Sequence, residues 1–108
     1  MVGDVVMEKQ KYICPICGFQ GLDEAPYDED LNASYDICPC CGVEFGYDDF
    51  KNDNVKFEIA RNKWISNGAK WFNKNKKPKN WILEAQLKNT ELPEIKALEK
   101  RLQDNCKK

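Results

Sequence analysis

The frame C-P-x-C-G occurs twice, as Cys14-Pro15-Ile16-Cys17-Gly18 and as Cys38-Pro39-Cys40-Cys41-Gly42. No other feature restricts the fold as strongly. Two thiolates on one tight turn can face one ion, and two such turns facing each other complete a tetrahedron with metal–sulfur bonds of about 2.3 Å. The proline after the first cysteine fixes φ for the turn. The glycine after the second admits a positive φ, which lets backbone N–H groups aim at the sulfurs. Twenty residues separate Cys17 from Cys38, giving C-x2-C-x20-C-x2-C, at or just beyond the usual range of four-thiolate zinc sites. Cys14, Cys17, Cys38 and Cys41 are therefore the expected metal ligands. Zinc is the expected ion, and iron fits the same geometry.

Two of the six cysteines stay outside this set. Cys40 occupies the position that Ile16 fills in the first turn. Its side chain is expected to point away from the metal and behave as a small apolar group. The alternative makes it redox-reactive or a substitute ligand. Cys106, in the stretch DNCKK, has no partner spacing and reads as a spare thiol. The chain has no histidine, which excludes mixed cysteine–histidine sites and imidazole acid–base chemistry. Disulfides are the competing use for the thiols. The N-terminal stretch MVGDVVMEKQK, however, holds an acidic residue and no long apolar run, so we expect no secretory signal. No segment approaches a membrane span. The expected location is the cytoplasm, where thiols stay reduced.

With 108 residues the chain is one domain's worth, and its core is modest. A four-thiolate zinc site can supply on the order of 10 kcal/mol of folding free energy, as much as a small domain's whole stability. Tyr12-Ile13 and Tyr35-Asp36-Ile37 lead into the two turns and Val43-Glu44-Phe45 leaves the second. All three are β-prone. We expect them to form short antiparallel strands bracketing the metal. GLDEAPYDEDLNASY, between the turns, reads as a long loop.

Beyond residue 50 the pattern becomes helical. In VKFEIARNKWISNG, Phe57, Ala60, Trp64 and Ile65 share one face, with Asp53 or Asn54 as cap and Gly68 as stop. WFNKNKKPKN is a connector broken by Pro78. WILEAQLKN is a second helix. LPEIKALEKRLQDN is a third, with Pro93 in its first turn and Ile95, Leu98 and Leu102 along one stripe. The expected fold class is α+β. An N-terminal zinc ribbon near residues 10–50 packs against two or three C-terminal helices. Residues 1–50 form the ribbon module and 51–108 a basic helical region, packed together as one domain.

Charge divides the same way. Residues 1–50 carry 11 acidic and 2 basic side chains, a balance of −9, and residues 51–108 carry 7 and 15, a balance of +8. The two halves can attract each other, or each can meet an outside partner. Lys74, Lys76, Lys77 and Lys79 lie among Trp71, Phe72 and Trp81, a combination able to grip phosphates and stack bases. We read the tryptophans instead as core and the lysines as a solvated loop, so a nucleic-acid partner stays the alternative.

YICPICGFQGLDEAPYDED followed by SYDICPCCGVEFGYDD resembles the bacterial cysteine-rich CPCC-type small proteins, a family without a settled function. Its metal turns are also similar to rubredoxin knuckles and zinc ribbons. The resemblance covers Tyr12 to Asp49. Rubredoxin likeness implies iron and one-electron transfer, but the segment between the turns is shorter here and the helical half has no counterpart. Some relatives of the CPCC-type proteins resemble partners or immunity factors of bacterial toxins, which implies a toxin-neutralising role as one reading. The residues themselves point away from an enzyme. A closed four-cysteine shell leaves no coordination position for water, and no carboxylate spacing marks a catalytic pair. The expected function is a non-enzymatic, zinc-stabilised module binding a protein partner through the acidic segment from Asp23 to Asp36.

Overall fold

The computed structural model describes residues 11–48, 50–51 and 54–106. Asp53, one expected helix cap, and the side chain of Cys106 lie outside what it describes.

The expected zinc ribbon does not form, and the fold class is mostly helical rather than α+β. From residue 11 to 48 the described residues hold only isolated bridges, pairing Tyr12 with Leu22, Tyr27 with Ala33, and Ile37 with Glu44. The physical reason shows at the ends of the first and third bridges. Tyr12 and Leu22 exchange two backbone hydrogen bonds of 2.8 and 3.0 Å. Asp23, Glu24, Ala25 and Pro26 follow, and proline has no N–H to continue a ladder. At the second turn, Tyr35 has φ +60 and Gly46 has φ +92, so the chain bends away just outside the Ile37–Glu44 pair. Among the described residues, regular β structure is limited to β1 (Phe50–Lys51) and β2 (Asn54–Val55), an antiparallel pair past both cysteine turns.

Three helices follow: α1 (Phe57–Ser66), α2 (Leu83–Leu87) and α3 (Pro93–Cys106). Single 3-10 turns at Lys74–Lys76 and Lys88–Glu91 join them. None of the described helices is long and apolar enough to cross a membrane.

The face expected for α1 is the one that packs. Phe57 and Trp64 are buried, and Ala60 and Ile65 lie partly against the core. Its start differs from expectation, because Lys56 holds the cap position and makes no side-chain cap. The Glu99 carboxylate of α3 accepts the Phe57 N–H at 2.7 Å instead. A carboxylate at a helix N-terminus is favoured by the exposed N–H groups and the helix dipole, and here it also ties α3 to α1. The C-terminus closes as Gly68 allows. Gly68 N–H donates to Ile65 O and Ala69 N–H to Trp64 O, with Gly68 at φ +103, the paired bonds of a Schellman motif. Ile95 and Leu102 of α3 are buried and Leu98 packs beside them, as the stripe predicts.

The core draws on both halves of the chain. Ile16, Phe45, Phe57 and Leu102 are each at least 98% buried. The loop between the turns has its own order. Asp28 accepts N–H bonds from Asp30 and Asn32 at 2.9 Å, closing a tight turn that places Leu31 at φ +66. The Asn32 N–H foremost among these holds the exposed Asp28 carboxyl below its ordinary range. Arg101 of α3 donates to Glu29 O at 2.9 Å and pins this loop to the helices.

Candidate metal centre

Both C-P-x-C-G frames fold into the same backbone device. Cys14 N–H donates to Phe19 O and Gly18 N–H to Cys14 O, each at 2.8 Å. Cys38 N–H donates to Val43 O at 3.0 Å and Gly42 N–H to Cys38 O at 2.9 Å. Gly18 and Gly42 have φ of +86 and +78, a region costly for any residue with a Cβ. Each turn therefore curls one cysteine pair toward the same side.

The two turns bring Cys14, Cys17, Cys38 and Cys41 together, with all four sulfurs within 4.8 Å of one another. Cys14 and Cys41 stand 3.9 Å apart, and Cys17 and Cys38 3.7 Å. A disulfide would need about 2.05 Å. A tetrahedron with metal–sulfur bonds of about 2.3 Å has edges of about 3.8 Å. These four thiols can therefore hold a metal ion. Cys14, Cys17 and Cys38 are fully buried, while Cys41 is half-buried.

Without an ion, four sulfurs this close cannot all carry charge. Burial pushes the Cys14 and Cys17 thiols well above their ordinary range. Hydrogen bonds from Cys14, Cys17 and Cys41 draw Cys38 far down. A metal must therefore displace the protons of Cys14 and Cys17 to enter. Titrating zinc into reduced, metal-free protein should release the Cys14 and Cys17 protons into weakly buffered solution. Apparent affinity should rise about tenfold or more between pH 6 and pH 7, because fewer protons then compete. A pH-independent affinity would show that these thiols are not the ligands.

The helical half grips both turns. Arg61 of α1 donates to Ile16 O at 2.7 Å and Pro15 O at 3.0 Å. Gln86 of α2 donates to Cys17 O at 3.0 Å, and Asn89 to Gly18 O at 2.9 Å. The connector holds the second turn, with Phe72 N–H on Cys40 O at 2.9 Å and Asn73 N–H on Pro39 O at 2.8 Å. Cys40 lies outside the sulfur cluster. It is fully buried like Ile16, and the Gln86 amide donates to its sulfur at 3.3 Å. The spacing of Arg61, Gln86 and Asn89 in the sequence carried no sign that they would serve the cysteine turns. Polar residues with apolar neighbours on short helices are the only hint.

The basic tract is arranged as a solvated loop beside a row of buried and partly buried aromatic rings. Phe19 and Trp71 meet edge to face at 5.6 Å, Trp71 and Trp81 at 5.6 Å, and Trp81 and Trp64 at 6.3 Å. Trp71 is buried and Phe72 is 65% exposed. Lys74, Lys76, Lys77 and Lys79 are exposed, with the Lys77 ammonium 5.3 Å from the Trp81 ring centre.

The chain is similar to two proteins of Bacillus subtilis strain 168, "Uncharacterized protein YoaQ" at 33% identity and "Uncharacterized protein YozI" at 34%. Each match covers 57% of this chain, and it covers 64% of YoaQ and 63% of YozI. The chain thus spans slightly less than two thirds of the length of these curated relatives. No family profile matches it. No solved structure matches it.

Proposed function

We propose that the chain is a zinc protein whose four-cysteine site is structural, and that the folded unit is a non-enzymatic module binding a basic protein partner. The observation carrying the zinc reading is the sulfur cluster, four thiols within 4.8 Å and three of them fully buried. A closed thiolate shell is the usual setting of structural zinc. Arg61, Gln86, Asn89 and the connector all bond to the backbone of the turns. An ion at the centre would lock one turn to the other, and through them the elements that grip each. The interaction reading rests on the loop between the turns, where Asp23, Glu24, Asp28, Glu29, Asp30 and Asp36 are all exposed. Tyr35 and Ile37 lie beside Asp36 and are 63% and 46% exposed. An acidic face with exposed apolar anchors suits a basic protein partner, with charge steering the encounter.

Elemental analysis and an absorption spectrum of protein purified without added metal test the first part. The expected result is one zinc per chain and no visible colour. Stoichiometric iron with thiolate absorption bands would replace zinc by an electron-transfer site. Chelation should unfold the metal-loaded protein, since metal-binding energy here is folding energy. Pull-down of a basic protein that is lost on neutralising Asp28, Glu29 and Asp30 tests the second part.

A further inference from the structure

Cys41 faces more than the sulfur cluster. It also lines a cavity of about 620 Å³, within the roughly 300–1,000 Å³ typical of small-molecule sites. The cavity lies between the second cysteine turn and α1. Val43, Ile59, Ala60 and Trp64 give it apolar walls, and Lys56, Lys63 and Lys70 give it charge. Lys56 directly precedes α1, Lys63 sits about two turns along it, and Lys70 follows its Schellman end. Among the described residues no carboxylate pairs with any of the three. Asp48 is the acidic side chain in the lining, and its Oδ2 accepts the Glu44 N–H at 2.9 Å within its own turn. Among the described lining residues, three lysines stand against one aspartate, a balance of +2 before the Cys41 sulfur is counted. The Trp64 indole N–H is taken by Lys70 O at 2.8 Å, which fixes the Lys70 backbone beside the cavity that Trp64 also lines. Tyr47 and Ile59 are 70% and 48% exposed in the same lining.

We propose that this cavity binds a small organic anion with an aromatic or aliphatic body. The lysines meet its acid group, and the Val43–Ile59–Trp64 surface covers its body. An inorganic anion would leave most of the apolar lining wet, and a neutral apolar molecule would leave the three ammonium groups without a counter-charge. This site goes beyond the zinc and partner reading and does not depend on it.

The test uses the full chain, metal-replete, with 1-anilinonaphthalene-8-sulfonate as probe. Fluorescence titration should show saturable binding of one probe per chain. Lys63→Glu with Lys70→Glu should weaken it by about tenfold or more, from lost attraction plus new repulsion. Lys74→Glu with Lys76→Glu makes the same net charge change outside the cavity and should leave affinity within about twofold. N-phenyl-1-naphthylamine, the same ring system without the sulfonate, should bind about tenfold more weakly or worse. Circular dichroism checks that each variant is folded. If the charge-reversal pair does not fold, Lys63→Gln with Lys70→Gln takes its place and should weaken binding by several-fold. Equal probe affinity for both lysine pairs, equal affinity for the neutral ring, or unsaturable binding would each overturn the proposal.

Discussion

Cys14→Ser and Cys41→Ser should each unfold the protein under conditions in which Cys40→Ser stays folded. The three positions lie within the same two turns, and Cys14 and Cys40 are equally buried. They differ in what their sulfurs face. Cys14 and Cys41 belong to the four-sulfur cluster, and serine cannot supply a thiolate there. Losing a ligand weakens or abolishes metal binding, and metal binding of this kind is worth on the order of 10 kcal/mol. A stability loss above about 4 kcal/mol is therefore expected, one of the few mechanisms that reach that size. The Cys40 sulfur instead accepts a hydrogen bond from Gln86 at 3.3 Å. A serine hydroxyl can accept the same bond, so the cost should be about 1–2 kcal/mol. Melting of the three variants with zinc present and after chelation checks this. Similar losses for all three, or a Cys40 variant that no longer binds metal, would move the ligand assignment.

The cysteine cluster was legible in the sequence because metal turns are local. Five residues set φ, the turn and the direction of two sulfurs, and Gly18 and Gly42 take the positive φ that the pattern demands. The helices were legible for a similar reason, since a periodic apolar stripe such as Ile95, Leu98 and Leu102 is visible within one segment. The ribbon was misread because strands are not local. Tyr12-Ile13 and Tyr35-Asp36-Ile37 have the composition of strands, but a ladder needs a continuing partner. Pro26 removes a donor on one side, and Tyr35 at φ +60 turns the chain away on the other. Tyrosine rarely takes that conformation, so no propensity argument would have placed it there. The contacts of Arg61, Gln86 and Asn89 span 45 to 71 residues of chain and leave no periodic trace. The α1 cap came from Glu99, 42 residues away, for the same reason.

Gly18→Ala should be among the most damaging single changes outside the ligands, and Gly68→Ala provides its control. Both glycines have positive φ, +86 and +103, so alanine costs about 1–2 kcal/mol of backbone strain at either place. Their surroundings differ. A Cβ at Gly68 would meet only the Lys70 side chain at 3.5 Å, which is ordinary contact. At Gly18 it would lie 2.1 Å from Gln86 O and 3.0 Å from the Gln86 carbonyl carbon. Those atoms are backbone, so α2 itself must move. Moving it loosens the Gln86 bonds to Cys17 O and Cys40 and the Asn89 bond to Gly18 O. Strain, clash and lost bonds together predict a loss of about 3–5 kcal/mol for Gly18→Ala, against about 1–2 for Gly68→Ala. In a domain of this size each kcal/mol shifts Tm by roughly 4–8 °C, so the two variants should separate clearly in a thermal scan of zinc-loaded protein. Equal melting temperatures would mean that α2 does not press on the first cysteine turn. The first cysteine turn would then be held by Arg61 and by whatever metal the four thiols bind, and chelation should leave the α2 region no less ordered than before.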